Sequence, residues 1–70
     1  MADMIISITE SGKHAAEDVT GKGLKYKILG KLYEQGTMST EELSGELGIG
    51  SMRTSMVVNS LIREGKVRED

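Results

Sequence analysis

Apolar residues recur at helical spacing in three segments of the chain, and a glycine follows each segment. In the first segment, from about Leu24 to Gln35, successive apolar residues are four, one and three positions apart and form one stripe of a helix. That stripe consists of Leu24, Ile28, Leu29 and Leu32. Glycine commonly ends a helix, and the three that follow the segments are Gly36, Gly48 and Gly65. The pattern predicts three helices between residues 24 and 65.

The second predicted helix runs from about Thr40 to Leu47 and follows a very short extended piece in which Met38 points inward. Ser39 and Glu42 form a Ser-x-x-Glu capping box, in which each side chain satisfies an amide at the start of the helix. Leu43 shares a face with Leu47, and Ile49 follows as an apolar plug in a tight turn.

The third predicted helix spans residues 51–64, with Ser51 as its cap. Its apolar repeat consists of Thr54, Val57, Val58, Leu61 and Ile62. After Gly65, the segment Lys66–Glu69 alternates outward charge with an inward Val67, which is typical of an exposed strand.

The first 23 residues have a different pattern and are predicted as an amino-terminal arm, with residues 24–70 as the main domain. Met4, Ile6 and Ile8 alternate with their neighbours, which predicts a strand over about Met4–Thr9. Residues 14–19 have room for one or two helical turns before a flexible joint at residues 20–23. The predicted class is α+β, mostly helical with a small sheet.

The length and composition favour one compact domain stabilised by packing. Seventy residues cannot divide a core between two units. Without cysteine, neither a disulfide nor a thiolate metal site can supplement the core. No secretory signal and no apolar run of membrane-spanning length is present, so we expect a cytoplasmic protein that does not enter a membrane.

Opposite charges are concentrated in different parts of the sequence. The net charge of −2 argues against nucleic acid as a partner, because phosphate binding normally requires a basic excess. However, four lysines and no acid lie between Lys22 and Lys31, whereas the acids gather at Glu41, Glu42 and Glu46. This separation permits one basic face on an acidic protein, although ordinary solvated helix faces explain it equally well.

Residues Glu42–Val67 resemble the helix-turn-helix of winged-helix regulators, the broad group that contains the MarR and ArsR families. The resemblance lies in an acidic helix with two leucines, a Leu-Gly-Ile turn, a serine at the next helix start, and Asn-x-Leu-x-x-x-Gly at its end. The matching residues are Glu42, Leu43, Leu47, Gly48, Ile49, Ser51, Asn59, Leu61 and Gly65. The resemblance implies a three-helix core whose third helix enters the DNA major groove while the second braces it.

The resemblance also implies which residues face double-stranded DNA in a transcriptional regulator. Arg53 would pair with guanine, and the nearby serines would reach phosphates or base edges. The full expected set is Ser51, Met52, Arg53, Ser55, Met56, Asn59, Arg63, Lys66 and Arg68. No cofactor is expected. A homodimer is expected only because such regulators bind two half-sites. Tyr26 and Tyr33 would lie either in the dimer interface or at the edge of the core.

Two features depart from the family pattern, and the first is the pair Met52 and Met56. Related helices place arginine or other polar residues there. The methionines could touch thymine methyl groups, form an adaptable protein-binding surface, or cover the neighbouring core. The alternative function is therefore a winged-helix protein-interaction module that uses these two residues.

The second departure concerns the wing, which needs two antiparallel strands after the third helix where only one is present. The segment Ile6–Lys13 resembles the strand and Thr-Glu-x-Gly-Lys sequence that normally closes a wing. We therefore predict that Met4–Thr9 pairs antiparallel with Lys66–Glu69; the competing interpretation is a free, disordered arm.

Enzymatic chemistry is not indicated by these residues. There is no cysteine nucleophile, the single histidine His14 is most simply solvated, and no spacing forces two carboxylates together. We therefore expect a protein that binds rather than catalyses.

Overall fold

The computed structural model describes residues 3–70, which form a small α+β domain with four helices and a three-stranded antiparallel sheet. In chain order the elements are β1 (Ile5–Ile8), α1 (Glu10–Ala16), α2 (Gly23–Gln35), β2 (Thr37–Ser39), α3 (Thr40–Leu47), α4 (Ser51–Arg63) and β3 (Val67–Glu69). The α+β class predicted from the pattern is confirmed. No helix within residues 3–70 combines the length and the apolar character needed to cross a bilayer.

The strand nearest the amino terminus, β1, is the central strand of the sheet. It pairs antiparallel with β2 on one side and β3 on the other, with Ile6 opposite Met38 and Ile8 opposite Val67. The predicted pairing of the amino-terminal segment with the last strand is thus confirmed, and the alternative of a free arm is wrong. The sequence also predicted the short extended piece at Met38, but not that it would pair with β1.

Helix α1 begins earlier than the prediction for residues 14–19. Thr9 caps it, because the Thr9 side chain accepts a hydrogen bond from the Gly12 amide at 3.1 Å. The Thr9 hydroxyl also donates to the Gly65 carbonyl at 2.7 Å, so the start of α1 is bonded to the turn between α4 and β3. This contact joins residues 56 positions apart, and local spacing could not reveal it.

The core lies between the inner face of the sheet and the three longer helices. Its buried apolar residues are Ile6, Ile28, Leu29, Leu32, Met38, Leu43, Val58, Leu61 and Val67. Every helix from α2 to α4 contributes to this set, as does every strand, so each element is held by burial of apolar surface.

The turn between α3 and α4 is formed by glycines with positive φ. Gly48 has φ 66° and ψ 32°, the left-handed conformation that ends α3. Gly50, with φ 79°, takes the position immediately before α4. The prediction that Ser51 caps this helix is therefore wrong: Ser51 is already its first residue. The capping box of Ser39 and Glu42 at the start of α3 is confirmed.

Candidate nucleic-acid interface

Helix α4 presents one face to the core and the opposite face to solvent. Thr54, Val58 and Leu61 are buried beneath it. At about 100° per residue, the residues opposite them fall within roughly 60° of the helix circumference. This outer stripe consists of Met52, Met56, Asn59 and Arg63, all exposed. Four of the nine predicted site residues are thus brought onto one surface.

The two methionines of the outer stripe are unusually exposed for apolar residues. Met52 is 72% exposed and Met56 is 66% exposed, whereas Met38 is 3% exposed in the core. The interpretation in which Met52 and Met56 cover the core is therefore wrong. The two exposed methionines lie one helical turn apart and together form an apolar patch on the surface of α4.

An apolar groove of about 690 Å³ lies beside the methionines, where the first turn of α4 meets α2 and the α3–α4 turn. It is lined by Leu24, Ile49, Gly50, Ser51, Met52, Arg53, Met56 and Val57. The sequence pattern assigned Leu24, Ile49 and Val57 to the interior. In the structure these three are only partly buried, and they form the floor of a surface feature.

A second, smaller groove of about 480 Å³ continues along α4 toward its carboxyl end. It is lined by Met56, Asn59, Ile62 and Arg63. Met56 contributes to both grooves, so the exposed face of α4 is one continuous surface from its first turn to its last.

The charges on this surface are positive and are not neutralised by α4 itself. The helix carries Arg53 and Arg63 and no carboxylate. Neither arginine makes an ion pair with any residue in the range 3–70. Both guanidinium groups are therefore available to an anionic partner.

Helix α2 carries an exposed cation, Lys27, one helical turn from a residue that lines the apolar groove. Leu24 of α2 lines that groove. Lys31, also of α2, is paired with α3, because its Nζ lies 3.0 Å from Glu46 Oε1. Lys27 is exposed and lies between them in sequence at spacings of three and four, which places all three on neighbouring positions of α2. Lys27 is thus one helical turn away from Leu24, a residue of the groove lining.

The two serines of the predicted set lie on one flank of the outer stripe. Ser51 is exposed and lines the apolar groove, and Ser55 is partly buried. Amides in the first turn of a helix have no partner within it, so the start of α4 offers N–H donors as well as the Ser51 hydroxyl.

The two remaining predicted residues follow the carboxyl end of α4 and are already paired. Lys66 Nζ lies 3.0 Å from Glu64 Oε1, and Arg68 Nε lies 3.5 Å from Asp70 Oδ1. Glu64 also accepts a hydrogen bond from Lys25 of α2. The hydrogen bonds from Lys25 and Lys66, in that order of importance, lower the pKa of Glu64 to about 2.

The tyrosines proposed for a dimer seam make contacts within their own chain. Tyr33 donates its hydroxyl to Glu17 Oε2 at 2.7 Å, which ties the end of α1 to α2. The ring of Tyr26 lies against Gly21, where a Cβ atom would come within 2.1 Å of it. Dimer formation stays a prediction.

Comparison of the chain with protein-family models, with curated proteins and with solved structures found no match.

Proposed function

We propose that this chain is a winged-helix protein that binds double-stranded DNA by inserting α4 into the major groove. The single observation that carries the proposal is the outer surface of α4. It is exposed along its whole length, it holds two arginines without carboxylates, and it includes Asn59, a residue type that pairs with adenine edges.

The sheet supports the winged-helix arrangement. A wing requires two antiparallel strands next to the recognition helix, and β3 follows α4 directly with β1 beside it. In this proposal the partner strand comes from the amino-terminal part of the chain instead of from residues after β3. In the same proposal, α2, α3 and α4 would be the three-helix core that the sequence resemblance implies.

The overall charge of −2 limits how strongly such a surface holds the phosphate backbone. Much of the positive charge elsewhere is internally paired, as at Lys31 with Glu46 and Lys66 with Glu64. Each phosphate contact contributes about 0.9 to the slope of log affinity against log salt. We therefore expect weak binding by a monomer and a shallow salt dependence that corresponds to a few contacts.

The test is a fluorescence-anisotropy titration of a mixed-sequence duplex at low and moderate salt. Binding should be measurable at low salt and should weaken as salt is raised. Arg53→Ala should reduce the difference in affinity among sequences, because base contacts specify, whereas Lys66→Ala should weaken all duplexes alike. Lys13→Ala is the matched control, because it removes one positive charge from α1 and should change affinity little.

No binding of any duplex at low salt would contradict the proposal. Equal losses for Arg53→Ala and Lys66→Ala across a panel of sequences would contradict base reading by Arg53 while leaving backbone binding intact.

A second candidate function is protein binding through Met52 and Met56, and the adjoining apolar groove favours it. Arg53, which lines this groove, and Arg63, which lines the second groove, point to a partner that combines apolar side chains with carboxylates. A second copy of this chain fits poorly, because a symmetric contact through α4 would bring the arginines of both copies together without an acid on that helix.

A further inference from the structure

The outer stripe of α4 combines two residue types that do different things in a DNA groove. Arg63 and Asn59 offer hydrogen bonds, whereas Met52 and Met56 offer flexible apolar surface and only a weak acceptor at sulfur. Placed against a donor or acceptor on a base edge, a methionine would leave that polar group without a partner, at a cost in affinity.

One base presents a matching apolar group in the major groove. Thymine carries a C5-methyl group there, whereas guanine, cytosine and adenine present donors and acceptors. The adenine of the same base pair offers N6 and N7, which an Asn side chain can bind through two hydrogen bonds. Met56 and Asn59 are three residues apart on one face, so they are suited to neighbouring contacts along an A·T-rich site.

The spacing of the methionines also matches the spacing of bases. Met52 and Met56 are four residues apart, which is about 6 Å along the helix axis at roughly 1.5 Å per residue. Successive bases on one DNA strand are about 3.4 Å apart, so two steps cover about 7 Å. A helix lying along the groove would therefore bring the two side chains to bases separated by one intervening base.

We propose that Met52 and Met56 select DNA sites with two thymines separated by one base on the same strand, by packing on their methyl groups. This inference rests on the proposed DNA-binding function and assigns its sequence preference. Replacing a packed methyl group by hydrogen removes about one carbon from the apolar surface buried on binding, which is worth about 0.8 kcal/mol, or roughly fourfold in affinity.

The probe is a pair of duplexes with identical sequence that contain thymines at this spacing, one made with thymidine and the other with deoxyuridine. Deoxyuridine keeps every hydrogen-bonding group and lacks only the methyl. The unmodified protein should bind the thymidine duplex more tightly, by about fourfold for each methyl that is contacted. Moving the two thymines to adjacent positions should remove part of this preference.

Variants identify the side chains responsible. Met52→Ala and Met56→Ala should each lose the part of the preference for the thymidine duplex that comes from one methyl group. The double variant should bind both duplexes equally. All three should fold, because both side chains are largely exposed. Val19→Ala is the matched control: Val19 is 93% exposed and lies between α1 and α2, and its replacement should leave the preference unchanged.

The outcomes separate this inference from the function on which it rests. Equal binding of the two duplexes by the unmodified protein would overturn methyl recognition and leave DNA binding standing. Preference that survives in the double methionine variant would also overturn it, because the methyl groups would then be contacted by other residues. Failure of both duplexes to bind at low salt would overturn the DNA-binding function, and the inference with it.

Discussion

At the residue scale, Gly12 marks a close approach between α1 and the segment just before β3. A Cβ atom at Gly12 would lie 2.0 Å from the Lys66 carbonyl oxygen and 2.8 Å from Ile8 Cγ1. The first of these neighbours is backbone, which cannot move aside without displacing the start of β3. The absence of a side chain at Gly12 is therefore what allows α1 to lie against this segment.

We predict that Gly12→Ala lowers the free energy of unfolding by about 1–3 kcal/mol, the usual cost of forcing extra atoms into a packed site. Gly45→Ala is the matched control. Gly45 also lies within a helix, but its added Cβ would meet nothing within 4 Å, so alanine should raise stability by about 0.5–1 kcal/mol. Urea denaturation of both variants measures the difference. Equal effects of the two substitutions would contradict the close approach.

Glu64 is the residue at which pH should act on the fold. Because the pKa of Glu64 is lowered to about 2 in the folded protein, from 4.5, its ion pairs with Lys25 and Lys66 stabilise the fold above pH 4.5. That stabilisation is lost as the pH falls from 4.5 toward 2. The Tm difference between the unmodified protein and Glu64→Gln should therefore shrink over this range.

The matched control for this experiment is Glu69→Gln, because Glu69 makes no ion pair within the described part of the chain. Its Tm difference from the unmodified protein should vary less with pH. A Tm difference for Glu64→Gln that stays constant down to pH 2 would contradict the role of the ion pairs.

The identity of single residues predicted the structure correctly where that structure depends on neighbours in the sequence. The capping box of Ser39 and Glu42 and the glycine stop at Gly48 follow from short-range hydrogen bonding and backbone freedom, and both are confirmed. The error at Ser51 has a related cause. A glycine at position 50 can occupy the pre-helical position with positive φ, so α4 begins without a side-chain cap.

At the scale of elements, the sheet depends on β1. This strand is the only one of the three with a neighbour on both sides among the described residues. Its inward side chain Ile6 is completely buried, whereas the adjacent Ile5 points the other way and is 47% exposed. Ile5 and Ile6 therefore have the same side chain but differ in how much of it is buried.

We predict that Ile6→Ala lowers the free energy of unfolding by about 2–4 kcal/mol, through lost apolar burial and the cavity that remains. Ile5→Ala, on the same strand, should cost less than about 1 kcal/mol because its side chain is half exposed. Chemical denaturation distinguishes them. Similar small costs at both positions would show that β1 does not contribute to the core as the structure has it.

Helices were easier to predict than the sheet because their signals are continuous in sequence. The periodicity placed α2 within one residue of its observed start and gave both ends of α3 as observed. The pairing of β1 with β3 was predicted from unpaired apolar strands and a family resemblance. The pairing with β2 was missed, because a three-residue strand has too few positions to show alternation.

At the scale of the whole molecule, the candidate site was predicted in part. The exposed residues of α4 were identified from the sequence, because helical spacing separates them from the buried repeat. The apolar groove was not identified, because Leu24, Ile49 and Val57 come from separate elements. A periodic pattern of apolar residues predicts that their side chains face the core, but it does not predict what fraction of each side chain is buried. Only the packing of α2 against α4 determines that.

The central position of β1 has a consequence for the order of folding during synthesis. Helices can form as soon as their residues leave the ribosome, because their hydrogen bonds are local. The strand β1 is synthesised before either of its neighbours. The hydrogen bond from the Ser7 hydroxyl to the Asp70 carboxylate can form only after a further 63 residues have been added. Since such distant contacts are slow to close, β1 can pair with β2 earlier in synthesis but has no neighbour on its other side until β3 is made. The pairing of β1 with β3 is then among the last steps of folding to be completed.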